Sequence, residues 1–304
     1  MTVIRIGTRG STLAMAQTTT VACQLESKTG VETEIIPIST QGDRSTESLS
    51  TIGGQGVFAN ALREALLAGE CDVVVHSLKD LPTANVPGLT IAAVPKRADE
   101  RDVLCARDEL TLDTLPAGAR VGTGSPRRQA QLRSRRPDLE VVDIRGNIDS
   151  RLDKVTNGEL DAVILAAAGL ARAGRAAAIT EYLGISGWPT APGQGALAIE
   201  VRDGDEKLVK VLDHKPSRTK TEAERYVLAL LDAGCSAPLG AHAVIDDGLL
   251  FLDARVYALD GSRYLTSSHA LYVNDVEDPA REAAQRVADE LLSQGAGDLT
   301  GARA

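Results

Sequence analysis

The octapeptide Gly122-Thr123-Gly124-Ser125-Pro126-Arg127-Arg128-Gln129 places two arginines at the expected start of a helix. Ser125 suits an N-cap and Pro126 the first helical position. Both guanidiniums then fall in the first turn, beside the positive end of the helix dipole. Each cation there costs about 0.3–1 kcal/mol unless something offsets it. Guanidinium forks grip carboxylate or phosphate bidentately, and helix N-terminal amides add donors for the same anion. The stretch asks for an anion, and does not say which of the two.

Three other polar segments stand where strands should end: Gly7-Thr8-Arg9-Gly10-Ser11, His76-Ser77-Leu78-Lys79-Asp80 and Arg145-Gly146-Asn147. In open α/β sheets ligands gather at the carboxyl ends of strands. Between Arg120 and Arg151 there are eight arginines against four acids, Asp138, Glu140, Asp143 and Asp149, so the positive excess is local. Arg133, Arg135 and Arg136 read as the solvated face and C-terminal end of the helix. Asp80 reads either as a turn residue paired with Lys79 or as a lone carboxylate in a cationic cleft. In the second role it would stay ionised and could stabilise a cation or shuttle a proton. His76 reads as a packed strand-end histidine, and four scattered histidines suggest no metal site.

Cys23, Cys71 and Cys105 fall in helix or strand patterns and are expected in the core. Cys235 differs. It follows Gly234 directly after a long helical pattern, in Asp232-Ala233-Gly234-Cys235-Ser236-Ala237-Pro238-Leu239-Gly240. A thiol in that loop is either a buried structural cysteine or a nucleophilic, cofactor-bearing one, and no histidine nearby in sequence supplies a base.

Alternating strand and helix patterns position these residues. Val3–Ile6, Glu34–Ile38 and Asp72–Val75 read as strands, with helices at Thr12–Ser27 and Val57–Ala68. A second set has strands at Arg120–Gly122, Glu140–Ile144 and Asp161–Ala166, with helices at Pro126–Arg135 and Ile148–Asn157. The runs Val73-Val74-Val75 and Ala162-Val163-Ile164-Leu165 are continuous, as in parallel strands buried on both faces. Ala196–Val201 reads as a strand returning to the first lobe. A helix at Ser217–Asp232, strands at Ala241–Ile245, Leu249–Leu259 and Ser262–Val273, and a helix at Asp278–Leu292 make an α+β third domain. The aperiodic stretch 40–56 reads as a lid.

The chain has 304 residues, 43% hydrophobic and 25% charged, which suits a soluble multidomain protein. Aromatics are only 3%, so the core must be aliphatic. A net charge of −9 argues against a broad nucleic-acid-binding face. No apolar run approaches membrane-spanning length, no signal peptide is recognisable, and the cysteines show no paired spacing, so a reduced, cytoplasmic setting is expected.

Together these segments resemble the porphobilinogen deaminase (hydroxymethylbilane synthase) family. Arg5–Ser11, Val75–Thr83, Gly122–Gln129, Leu139–Arg151, Ala167–Arg172, Ala191–Ala196 and Gly234–Gly240 occur in family order over nearly the whole chain. The resemblance implies two α/β lobes of the type II periplasmic-binding-protein kind and a smaller α+β third domain. The expected boundaries are 1–95 with 196–213, 100–190, and 217–304. It implies head-to-tail condensation of four porphobilinogen molecules with loss of ammonia, in tetrapyrrole (haem) synthesis. The chain would grow on a dipyrromethane cofactor held by a thioether at Cys235. Asp80 matches the catalytic aspartate, which helps the amine leave and stabilises the resulting azafulvenium. Arg9, Arg127, Arg128, Arg145, Arg151 and Arg172 match the arginines that bind pyrrole acetates and propionates. Ser11, Ser77, Lys79, Thr123, Ser125, Asn147 and Gln194 add polar contacts, and Gln55 and Phe58 belong to the lid.

The resemblance further implies a monomer whose partners are porphobilinogen and the growing polypyrrole, with no metal, nucleic acid or membrane. Some positions depart from the family pattern. Gln55 stands where many members carry lysine, Gly124 and Pro126 replace the commoner Ser and Leu, and Asp232-Ala233-Gly234 replaces Glu-Gly-Gly. A two-lobed solute receptor would also explain lobes and arginines, but it leaves the third domain and Cys235 without a task. A phosphate-ester transferase lacks a Walker pattern or an acidic metal cluster.

Overall fold

A computed structural model describes residues 3–39, 57–233 and 237–300; the side chains of Val57, Phe58 and Thr300 are outside that description. The chain divides into two compact units, residues 1–98 with 195–218, and residues 99–194 with 219–304.

The first unit is built on β1 (Ile4–Arg9), β2 (Thr33–Ile38), β3 (Val73–Ser77), β4 (Leu89–Ala93) and β10 (Leu197–Arg202), in the order β2-β1-β3-β10-β4. β1 runs parallel to β2 and β3, whereas β10 is antiparallel to β3 and β4. The helices α1 (Thr12–Thr29) and α2 (Val57–Leu67) cover it. Ser11 caps α1 by accepting from the Ala14 amide, and Gly30 ends it in the left-handed region. Val21, Ala22 and Leu25 pack on Ile4, Ile6, Val73, Val75 and Ile199.

The second unit holds two sheets. One comprises β5 (Asp102–Ala106), β6 (Arg120–Gly122), β7 (Glu140–Val142), β8 (Ala162–Ala166) and β9 (Glu181–Tyr182), ordered β7-β6-β8-β5-β9. β6 is parallel to β7 and β8, and β5 is antiparallel to β8 and β9. Its helices are α3 (Pro126–Arg135), α4 (Ile148–Thr156) and α5 (Ala167–Arg172). The other sheet is the antiparallel meander β11 (Leu239–Asp246), β12 (Leu249–Tyr257) and β13 (Tyr264–Tyr272). It packs its apolar face on α6 (Lys215–Leu230) and α7 (Pro279–Ser293) through Val227, Leu252, Val256, Val287 and Leu291; α8 (Ala296–Thr300) follows.

Two expectations need correction. The continuous runs in β3 and β8 are buried on both faces, but each strand has one parallel and one antiparallel neighbour. An unbroken apolar run reports burial on both faces, not strand direction. Cys71 and Cys105 are buried as expected, whereas Cys23 lies exposed on α1. Among the described residues no helix is long and apolar enough to cross a membrane.

Candidate active site

α3 begins as its residues dictate. Ser125 sits in extended backbone, Pro126 opens the helix, and Arg127 and Arg128 occupy the first turn. Both arginines are buried, at 3% and 6% exposure, and the structure supplies part of the anion they ask for. Asp102, the first residue of β5 and 0% exposed, lies between them. Arg127 Nη1 is 2.9 Å from Asp102 Oδ2, and Arg128 donates to Oδ1 from Nε at 3.1 Å and Nη2 at 2.6 Å. Trp188 Nε1 donates to Oδ2 at 2.9 Å and Gln194 Nε2 to Oδ1 at 2.8 Å. Burial alone would raise the Asp102 pKa, but the two guanidiniums and these donors outweigh it and hold the carboxyl well below the usual range. Burial pushes the Arg127 guanidinium below its ordinary value, Asp102 pulls it back, and Arg128 adds to the lowering.

Arg127 Nη1 also donates to Gln131 Oε1 at 2.6 Å and to the Pro189 carbonyl at 3.0 Å, while its buried Nε has no hydrogen-bond partner among the described residues. Arg128 Nη1 donates to the Ile164 carbonyl at 3.1 Å. The reading of both arginines as open anion ligands is therefore too simple, because an internal carboxylate takes much of their hydrogen-bonding capacity. Gln194, expected as a ligand contact, gives its amide to Asp102 and to the Glu100 carbonyl.

A second group of arginines lies close by. Arg145 follows β7, and Arg151 sits in the first turn of α4, capped by Asn147, whose Oδ1 accepts from the Ser150 amide. Burial lowers the Arg151 pKa, Arg128 and Arg145 lower it further, and Asp143 opposes them. Arg151 Nε donates to the Gly146 carbonyl at 2.8 Å. Arg172, at the end of α5, is lowered by burial. Thr123 is fully buried, with Oγ1 accepting from the Ser125 amide at 3.3 Å, and Ser125 itself makes no side-chain capping bond. Gly124 allows this loop its close approach to the segment after β7, since a Cβ there would lie 2.5 Å from the Ile144 carbonyl oxygen. The segments after β6 and β7 thus meet at one sheet edge, as parallel pairing requires. Arg127, Arg128, Arg145 and Arg151 outnumber the carboxylates Asp102 and Asp143 that face them. Such a set can hold a molecule bearing several carboxylates.

In the first unit, β1 ends at Arg9 and β3 at Ser77, again on one edge of parallel strands. Ser11 spends its side chain on the helix cap, and Ser77 Oγ accepts from Gln17 Nε2 at 3.1 Å. A 3-10 turn, Leu78–Asp80, leaves Asp80 exposed and Lys79 half-buried, anchored by the buried Leu78 and Leu81. Behind it His76 is packed as expected, its Nε2 3.2 Å from Glu200 Oε2, while Arg63 grips Glu200 at 2.8 Å. Burial would raise the Glu200 pKa, but His76 and Arg63 bring it down to about 2. Cys235 and Gln55 lie outside the described residues, as does the Phe58 side chain.

Sequence reasoning missed β4, β5 and Asp102. The one signal for Asp102 was its position flush against the apolar run Val103-Leu104-Cys105, where a charge must be buried and hence paired.

The family profile "porphobilinogen deaminase, dipyromethane cofactor binding domain" matches residues 4–210, and "porphobilinogen deaminase, C-terminal domain" matches residues 219–293. The chain belongs to the porphobilinogen deaminase family. A porphobilinogen deaminase from Leifsonia xyli subsp. xyli is 57% identical, over 97% of this chain and 94% of that protein. Those of Thermobifida fusca and Mycobacterium tuberculosis are 48% and 49% identical, over 97% of this chain and 95% and 98% of theirs. A periplasmic substrate-binding protein of an ABC transporter from Coxiella burnetii superposes with a TM-score of 0.43 at 18% identity, covering 70% of this chain and 93% of that one. The arginine-rich edge described above falls within the profile named for the cofactor of porphobilinogen deaminase.

Proposed function

We propose that this chain is a hydroxymethylbilane synthase, joining four porphobilinogen molecules head to tail with loss of ammonia and releasing the linear product by hydrolysis. The observation that carries the reading is the excess of guanidinium at Arg128, Arg145 and Arg151, inside the region matched to the cofactor-binding domain. The donor set fits a dipyrromethane, whose acetates and propionates are anions, because these arginines repel one another until anions offset them. When bound, that group supplies the free pyrrole α-carbon from which the chain grows.

The residues then divide the work. Arg128, Arg145, Arg151 and Arg172, with Thr123 and Ser125, hold pyrrole carboxylates of the primer, and Cys235 carries it as a thioether. Asn147 orders the loop that presents Arg145 and Arg151. Arg9, Ser77 and Lys79 are assigned to carboxylates of substrate, while Ser11 fixes the Arg9 segment by capping α1. Asp80 accompanies the departure of ammonia, taking or returning a proton at the amine nitrogen and stabilising the positive charge that develops on the pyrrole. Its exposed position at the end of a 3-10 turn supports that role. Three separate sheets support a division into the domains 1–95 with 196–213, 100–190, and 217–304. We place the protein in the cytoplasm as a monomer, with 40–56 as a lid carrying Gln55 and leading into Phe58.

Incubating the purified protein with porphobilinogen tests the function. Loss of substrate with matching release of ammonia and appearance of hydroxymethylbilane is expected. Protein that carries the primer but consumes no porphobilinogen would contradict it.

A further inference from the structure

We propose that Asp102 is a positioning residue for the cofactor-binding arginines. It orients the Arg128 fork and sets the net charge of the pair, without itself touching substrate or cofactor. The inference rests on the reading that Arg128 holds pyrrole carboxylates.

Three observations lead to it. Both carboxylate oxygens are fully employed, Oδ1 by Arg128 Nε, Arg128 Nη2 and Gln194 Nε2, and Oδ2 by Arg127 Nη1 and Trp188 Nε1. Five donors from two separate stretches of chain, the start of α3 and the loop between β9 and β10, leave the carboxylate one orientation, which in turn fixes the plane of the Arg128 guanidinium. Next, one carboxylate faces two guanidiniums, so the pair keeps a single positive charge beside Arg151, whose own cation feels Arg128. Two bare guanidiniums in the first turn of α3 would add mutual repulsion to an unfavourable dipole. A second carboxylate would cancel the charge that attracts a ligand.

The third is energetic. A buried ion pair is often no more stabilising than apolar side chains of similar volume. Stability alone is then a weak reason to bury Asp102 here, and geometric specification is the stronger one. An Asn at 102 could not serve the same purpose, because it lacks the charge; a Glu would carry it but advance the fork by one methylene.

The test is a double-mutant cycle on the full chain, using Asp102→Asn, Arg128→Lys and both together. Arg128→Lys keeps the charge and loses the fork. The readout is the porphobilinogen concentration that half-saturates acquisition of the two-pyrrole mass by apoprotein, with near-ultraviolet circular dichroism as the check on fold. Each single change is expected to raise that concentration about tenfold or more, the size of one charge-assisted hydrogen bond. The double variant should sit within about twofold of Arg128→Lys, because Asp102 acts through Arg128. Factors that simply multiply, or a wild-type value in Asp102→Asn, would overturn the proposal. A wild-type value in Arg128→Lys would instead remove the arginine assignment on which it rests. Should Asp102→Asn fail to fold, Asp102→Glu takes its place with the same expected coupling. If neither variant folds, Asp102 is a structural residue only and the proposal fails.

Discussion

Arg127 and Arg128 were legible because they break a local rule: cations at a helix start need a reason, and the reason is an anion. What the sequence could not supply was the identity of the nearest anion. Asp102 lies 26 positions from Arg128 and 92 from Gln194 along the chain, so its partners exist only once the sheet has formed. Cys23 illustrates the opposite error, since a small apolar residue within a helical pattern was read as core and lies on the exposed face of α1. Asp80 was legible by position, at the carboxyl end of a buried strand, and its 3-10 turn is held by buried Leu78 and Leu81 rather than by its own side chain. Asp80→Ala should therefore fold and keep its primer, while turnover of porphobilinogen falls by about 10²-fold or more, as for loss of a general acid–base group. Steady-state kinetics beside an intact mass checks both halves, and undiminished turnover would take Asp80 out of the mechanism. Charge reversal at Arg127 is a poor probe of ligand binding, because a glutamate there would face Asp102 at the buried contact.

At the scale of elements, the start of α3 at Pro126 was readable from its proline, although Ser125 makes no side-chain capping bond. β5 was not, since its apolar run is brief and opens on a charge whose pairing is tertiary. The parallel expectation for β3 and β8 failed for a related reason: burial on both faces is set by covering layers, and neighbours of either direction provide it. Gly240, in β11, shows how closely elements of the second unit approach. A Cβ at this position would lie 2.6 Å from the Pro189 carbonyl oxygen, and Pro189 also accepts from Arg127 and Gln131. Gly240→Ala is predicted to destabilise the protein by about 1–3 kcal/mol, the usual penalty of overpacking. A denaturant midpoint equal to that of the wild type would show that the contact relaxes without cost.

Over the whole molecule, the alternation of strand and helix and the change of texture after Lys215 made the two α/β sheets and the α+β meander legible in outline. Their buried charges were not. These charges predict the response to acid. Glu200 has an ordinary value of 4.5 and a folded value of about 2, so its contribution to stability is complete above 4.5 and is lost as pH falls toward 2. Asp102, also depressed, acts in the same sense. Stability should therefore fall with decreasing pH below 4.5, and Glu200→Gln should flatten that slope while lowering stability at neutral pH; an unchanged slope would remove Glu200 from the account. The most direct test of the central claim is the intact mass of the purified chain. The account predicts an excess of two pyrrole units on the wild type, absent from an inactive Cys235→Ala variant. An unmodified wild-type chain that turns over porphobilinogen would contradict it.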